Sequence, residues 1–380
     1  MCVCVYNSGF SSIRFSTVVI DEATQVTEAA ALVPVVRGCE QLILVGDQNQ
    51  LPPTVLCPEA KDGGLGTCMF SRLVHAGIKP ILLNKQYRMH PAIAEFPSVH
   101  FYDGKVTSAV RLSDRATPRG FPWPTATAPV AFIRVTKGGT EQDDCNGGVG
   151  GRGGRRGQLE SRRGVEVAVQ GGSPASTVLG TSYCNSREAE AVAFALELLV
   201  YWGDVKVEDV GIITPYSAQV RLLQDVVGGS RRSAAAAATA AAVAASAPRS
   251  QSEERGREER FVGGTGEGGR GGSAETRRGT AATRLPEIAS VDGYQGREKE
   301  VIILSAVRSN HAGRVGFLAD WRRLNVAVTR ARRGVVVVGD PDTLKGDAHW
   351  RAFLRWCERR GAVMGEAALY LGRGRAGEED

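Results

Sequence analysis

Two short apolar runs, each ending where charge begins, most constrain how this chain can fold. Thr17-Val18-Val19-Ile20 runs directly into Asp21-Glu22, and Gln41-Leu42-Ile43-Leu44-Val45 runs into Gly46-Asp47. Continuous apolar runs without polar alternation are the pattern of parallel strands covered on both faces. Between them, Val26 to Val36 has helical spacing and is followed by Gly38, a candidate C-cap. Strand, helix, strand is the βαβ unit, so the chain is predicted to be α/β with parallel sheets flanked by helices.

The same grammar returns further along. Glu188 to Leu199, Ala218 to Val227 and Leu324 to Ala331 read as helices, and Val210 to Ile213, Glu287 to Val291, Val301 to Ser305 and Val335 to Val338 read as strands. Two stretches break it. Residues 136–180 include the glycine-arginine run Gly147 to Gly157, and residues 228–284 include an alanine tract and a mixed-charge stretch. Neither buries enough apolar surface to offset chain entropy, so both are expected to be low-complexity insertions, with 366–380 a tail. They hold much of the chain's 47 glycines. Disorder throughout is excluded by a hydrophobic share of 42%.

A formal net charge of +6 permits nucleic acid without requiring it. The eight cysteines form no CxxC pair and have no histidine at metal-ligand spacing, so free thiols are expected. No apolar run has the length of a membrane span and the N-terminus lacks a secretory leader, which predicts a soluble protein of the nucleus or cytoplasm, without membrane contact.

The chemistry is expected where the strands end. Ligands of open α/β sheets sit outside the carboxyl ends of strands, which is where Asp21-Glu22 projects. Adjacent carboxylates there suit nucleoside triphosphate hydrolysis, one on Mg²⁺ and the next accepting a proton from water. Alone, the pair is equally an exposed helix start. The second strand leads into Gly46-Asp47-Gln48-Asn49-Gln50-Leu51-Pro52-Pro53, where a glutamine can orient water or sense a phosphate and Asp47 can simply cap its loop. Arg330 follows the apolar residues Leu324, Val326 and Val328, and a guanidinium in such surroundings is costly without an anion. Tyr87 and Tyr216 read first as core aromatics and second as base-stackers; His90 and His100 read as packing or capping residues.

Taken in order, Asp21-Glu22-Ala23-Thr24-Gln25, Gly46 to Gln50, Gln86-Tyr87-Arg88, Asp292 to Glu298 and Arg322 to Arg332 resemble motifs II (Walker B), III, IV, V and VI of superfamily 1 (1B) nucleic-acid helicases. The resemblance is to the group containing the nonsense-mediated-decay helicase and senataxin. It implies RecA-like P-loop NTPase folds: the C-terminal part of a first domain over 1–80, and a second domain over 81–135, 181–227 and 285–365. It also implies ATP and Mg²⁺, with Asp21 as the Mg²⁺ carboxylate, usually through water, Glu22 as general base, Gln50 as γ-phosphate sensor, and Arg88 and Arg330 as arginine fingers. Glu298, Gly296 and Gln25 would be cofactor-binding, with Glu298 on the ribose. Thr214, Pro215, Tyr216 and Tyr294 would lie along a single strand of RNA or DNA, moved 5′-to-3′ by a monomer.

One part of the family's pattern is missing. No Gly-Lys-Ser/Thr tripeptide of a phosphate-binding loop occurs. The chain is therefore expected to be the C-terminal portion of an ATP-dependent helicase, weak or inactive alone; the alternatives are a non-catalytic nucleic-acid-binding fragment, a degenerate helicase and an inert fragment.

Overall fold

The computed structural model describes residues 13–135, 142–143, 182–229 and 285–375. The two insertions expected at 136–180 and 228–284 lie almost wholly outside the described residues. Near the N-terminus, β1 (Thr17–Ile20), α1 (Glu28–Val35) and β2 (Gln41–Leu44) form the expected unit. The strands pair in parallel, Thr17 opposite Gln41 and Ile20 opposite Leu44. With α2 (Met69–His75) they enclose a small core of Val18, Ile20, Ala31, Met69 and Phe70. Only one face is covered. Val19 is 61% exposed and Ile43 50%, which corrects the expectation of strands buried on both sides.

Then come β3 (Lys85–Gln86), α3 (Pro91–Phe101) and β4 (Thr107–Ser108). His90 caps α3 by accepting a hydrogen bond from Ala92 N at Nδ1 (3.1 Å). The larger body is built on one six-stranded sheet. Its members are β5 (Val130–Arg134), β8 (Val210–Thr214), β9 (Glu287–Ser290), β10 (Lys299–Ser305), β11 (Ala331–Gly339) and β12 (Val363–Gly365), with β6 (Gln142–Asp143) and β7 (Tyr183–Cys184) forming a separate ribbon. The order is β12-β5-β11-β10-β8-β9, and each adjacent pair is parallel.

Strand periodicity sorts this core into two layers. Phe132, Ile302, Leu304, Val335 and Val337 face α3, α6 (Trp321–Thr329) and α7 (Ala348–Arg359). Ala131, Ile133, Val301, Ile303, Val336 and Val338 face α4 (Ser186–Tyr201), α5 (217–229) and α8 (Glu366–Arg375). The stretch expected as a tail from 366 therefore opens as a helix, with Leu369 fully buried. The helix expected over Leu324 to Ala331 ends at Thr329, and Ala331 already begins β11. Cys39, Cys57, Cys68 and Cys357 are free thiols, while Cys184 is disulfide-bonded, against expectation. No helix among the described residues is long and apolar enough to cross a membrane.

Candidate functional site: a cleft between carboxylates and arginines

The acidic pair lies where β1 stops. Glu22 takes a left-handed backbone, φ +50°, and its N–H donates to Asp21 Oδ1 at 2.9 Å. Glu22 Oε2 accepts from Gln25 Nε2 at 2.6 Å. The loop is stitched to β2 by Ala23 N donating to Val45 O (2.8 Å) and Val45 N to Ile20 O (2.9 Å). Sheet pairing thus continues past the strands and holds two carboxylates side by side at their carboxyl ends.

The loop after β2 is held differently. Asp47 accepts from Asn49 N (2.9 Å), from Gln50 Nε2 (2.9 Å) and from the Tyr102 hydroxyl (2.5 Å). Asn325 of α6 donates to both Asn49 O (2.8 Å) and Tyr102 Oη (2.9 Å), and Asn49 Nδ2 donates to Phe101 O (2.7 Å). Leu51, 5% exposed, inserts into the core of the larger body beside Met89 and Ile93. Burial and the neighbouring Asp47 carboxylate push the Tyr102 hydroxyl well above the usual tyrosine range, so it stays protonated as the donor.

Arg330 closes this ring. It is 2% exposed; Nη2 donates to Gln50 Oε1 (2.9 Å) and Nε to Val326 O (3.1 Å). Among the described residues it makes no ion pair. Burial and the neighbouring Arg88 cation push its pKa down to about 10, opposed by Glu22, Tyr102 and Asp47, so it is charged at neutral pH. Arg88 ion-pairs Glu298 (2.6 Å) and donates to Thr329 O (3.1 Å).

Gln50, Arg88, Glu298 and Arg330 line a single open cleft of about 1530 Å³, together with Asp47 and Arg332. Asp21, Glu22, Gln25 and Gly296 stand outside its lining, although the charge of Glu22 is felt at Arg330. Gly296 is exposed with φ +75°, in the turn before Glu298.

The four residues expected along a single strand are placed elsewhere, beyond the carboxyl ends of β8 and β9. Thr214 and Tyr294 are fully buried and Tyr216 is 2% exposed, so neither ring offers a face to a base. The expectation of stacking on Tyr216 and Tyr294 is corrected accordingly. Tyr294 packs so closely on β8 that a Cβ at Gly211 would collide with its hydroxyl, and the Tyr216 hydroxyl accepts from Phe317 N (3.2 Å). Pro215 is half-buried.

Sequence reasoning assigned no role to Asn325 or Tyr102. A fully buried asparagine inside the apolar run of α6 is a signal of a specific polar partner. Tyr102 ends α3 with no pattern to mark it.

The arrangement suits a polyanion. A buried guanidinium without a carboxylate partner among the described residues, beside a second one, calls for negative charge, and a bidentate fork matches phosphate. No cluster of three or more metal-ligating side chains occurs among the described residues.

The family described as "AAA domain" matches residues 65–342, and a second family of the same description matches residues 2–58. The chain is 34% identical over 371 residues to the regulator of nonsense transcripts 1 homolog of Drosophila melanogaster, covering 97% of this chain and 24% of that protein. It is 35% identical to the Arabidopsis thaliana homolog of the same name, over 93% of this chain and 22% of that protein. To the ATP-dependent helicase NAM7 of Saccharomyces cerevisiae it is 33% identical, over 92% and 28% respectively. The chain thus spans about a quarter of the length of the curated relatives it matches. By this match over most of its length, the chain belongs to the AAA-domain family and, within it, to the superfamily 1 helicases of the nonsense-mediated-decay type.

Proposed function

We propose that this chain supplies the acidic half and the arginine half of an ATP-hydrolysing motor that moves on single-stranded RNA or DNA. The observation that carries the reading is Arg330: buried, charged, without a carboxylate partner among the described residues, and bonded across the ring to Gln50. In this reading the first domain extends to about residue 80 and the second comes after it, with the nucleotide between them.

Asp21 would hold Mg²⁺, usually through water, and the ion would neutralise phosphate charge. Glu22 would accept the proton of an attacking water, its carboxylate steadied by Gln25 Nε2. Gln50, held between Asp47 and Arg330, would report the γ-phosphate to both. Arg330 and Arg88 would stabilise the charge that develops on the transferred phosphoryl group. Glu298, paired to Arg88 here, would be released toward the nucleotide ribose as Arg88 turns to phosphate. Translocation 5′-to-3′ would result from closing and opening of the cleft. The chain itself contains no Gly-Lys-Ser/Thr loop, so slow turnover is expected from it alone.

The test is single-strand-stimulated ATP hydrolysis by the complete gene product. Glu22→Gln, which keeps the shape and removes the base, should lower turnover by about 10²-fold or more. An unchanged rate would sink the catalytic reading. It would favour a non-catalytic single-strand binder, whose affinity neither ATP nor Arg330→Ala alters.

A further inference from the structure

The cleft lies at the amino ends of β10 and β11, since Glu298 immediately precedes one and Arg330 the other. At the opposite, carboxyl end of β10, the loop leading into α6 carries a different constellation. Gly316, with φ +56°, passes so close to Tyr216 that a Cβ there would stand 2.6 Å from the Tyr216 hydroxyl. That hydroxyl accepts a hydrogen bond from Phe317 N, and the next carbonyl, of the buried Leu318, accepts from Trp350 Nε1 at 3.1 Å. The turn is therefore pinned on both sides of Phe317. Yet the Phe317 ring is 54% exposed.

The ring is braced. The Arg323 guanidinium lies 5.1 Å from its centroid and is itself fixed by two bonds to Asp292 (3.1 and 3.2 Å) and one to Phe317 O (2.9 Å). Tyr216 meets the ring edge-on at 5.8 Å, and Tyr183 meets Tyr216 edge-on at 5.4 Å with the Arg308 guanidinium 4.1 Å above it. Arg314, three residues before Phe317, is exposed and its backbone is tied at both ends to Asn310 (2.9 Å each). Among the described residues Arg314 makes no ion pair. An apolar ring held out of the core by a pinned turn, next to an exposed arginine, is the pairing that binds single strands: any base can stack on the ring while the cation tracks the phosphates.

The geometry points to Phe317 as the base-stacking residue of the second lobe, with Arg314 on the neighbouring phosphate and Tyr216 as the buried strut beneath. This assignment rests on the nucleic-acid reading above and replaces the stacking roles of Tyr216 and Tyr294. The ligand is a single strand of any sequence.

Anisotropy of a fluorescein-labelled single strand of about ten nucleotides, bound by the full chain, tests it. Phe317→Ala should weaken binding about tenfold, and Phe317→Trp should restore it. Against an abasic strand of equal length, wild type and Phe317→Ala should bind alike, because only phosphate contacts remain. Equal affinity of wild type and Phe317→Ala for the base-bearing strand, with wild type binding it, overturns the assignment alone. Failure of the wild type to bind either strand overturns the nucleic-acid reading and the assignment with it.

Discussion

The two halves of the cleft are built from opposite ends of their strands and with opposite charge. The N-terminal strands present residues at their carboxyl ends: the Asp47 to Gln50 loop after β2, which lines the cleft, and Asp21 and Glu22 after β1, which stand outside its lining. The larger sheet contributes residues at the amino ends of its strands, Glu298 before β10 and Arg330 before β11, with Arg88 between β3 and α3. Support differs as well. β8 is buried at every position, whereas β1 and β2 leave Val19 and Ile43 half-bare. The arginines therefore stand on a closed core. The Asp47 to Gln50 loop is positioned by the groups it grips in the other half: Leu51 in the larger core, and the ring of Asp47, Tyr102, Asn325 and Asn49.

That contrast can be broken from either side. The largest stability effect should come from truncating the buried sheet. Ile302→Ala removes a fully buried side chain and should cost about 2–5 kcal/mol, against less than about 1 kcal/mol for Ile43→Ala on the bare face. Thermal or urea unfolding of both variants measures the difference, and equal losses would show that β2 is covered in solution.

Next in size is the ring itself. Tyr102→Phe takes one donor from Asp47 and one acceptor from Asn325, at a cost of about 1–3 kcal/mol. Because Gln50 hangs on Asp47, the variant should also slow nucleotide turnover without changing single-strand affinity. A variant with unchanged melting and turnover would mean that the ring is incidental to how the loop is held.

A smaller effect is confined to pH. Glu188, fully buried in α4, accepts from Ser305 Oγ and Val307 N (2.7 Å each), and burial pushes its pKa up to about 8. Its folded value lies above the unfolded one, so the native state binds the extra proton. Stability should fall as pH rises from the ordinary glutamate range through about 8, and level off above it. Glu188→Gln keeps the shape and both acceptor contacts, so its melting temperature should lose that component of the slope between about pH 6 and pH 8.5. An unaltered slope would assign the pH response to other groups.

Much of this was legible in the sequence wherever a strand left an unbroken apolar run. β1, β8 and β10 were read within a few residues because nothing polar interrupts Thr17 to Ile20, Val210 to Ile213 or Val301 to Ser305. The switch from α6 to β11 was not, because Thr329-Arg330-Ala331 contains no glycine or proline to mark it; Arg330 sits in the junction, not within a helix. The anion-seeking character of Arg330 could still be read, since it depends on apolar neighbours more than on the element. Exposure was the least legible property. Tyr216 and Phe317 are both aromatics near charged residues, and only the turn at Gly316 decides that one is buried and the other presented. Tyr102 reaches Asp47 across 55 residues, a distance that no local pattern encodes.

The central claim is that Arg330 is buried without a carboxylate partner among the described residues because a nucleotide phosphate completes it. It is tested most directly by single-strand-stimulated ATP hydrolysis of the complete gene product, wild type against Arg330→Ala and Arg330→Lys. Turnover should fall about 10³-fold or more in the alanine variant. The lysine variant, which keeps the charge and loses the fork to Gln50, should also be slow. Turnover of a folded Arg330→Ala protein within about twofold of the wild type would contradict the account.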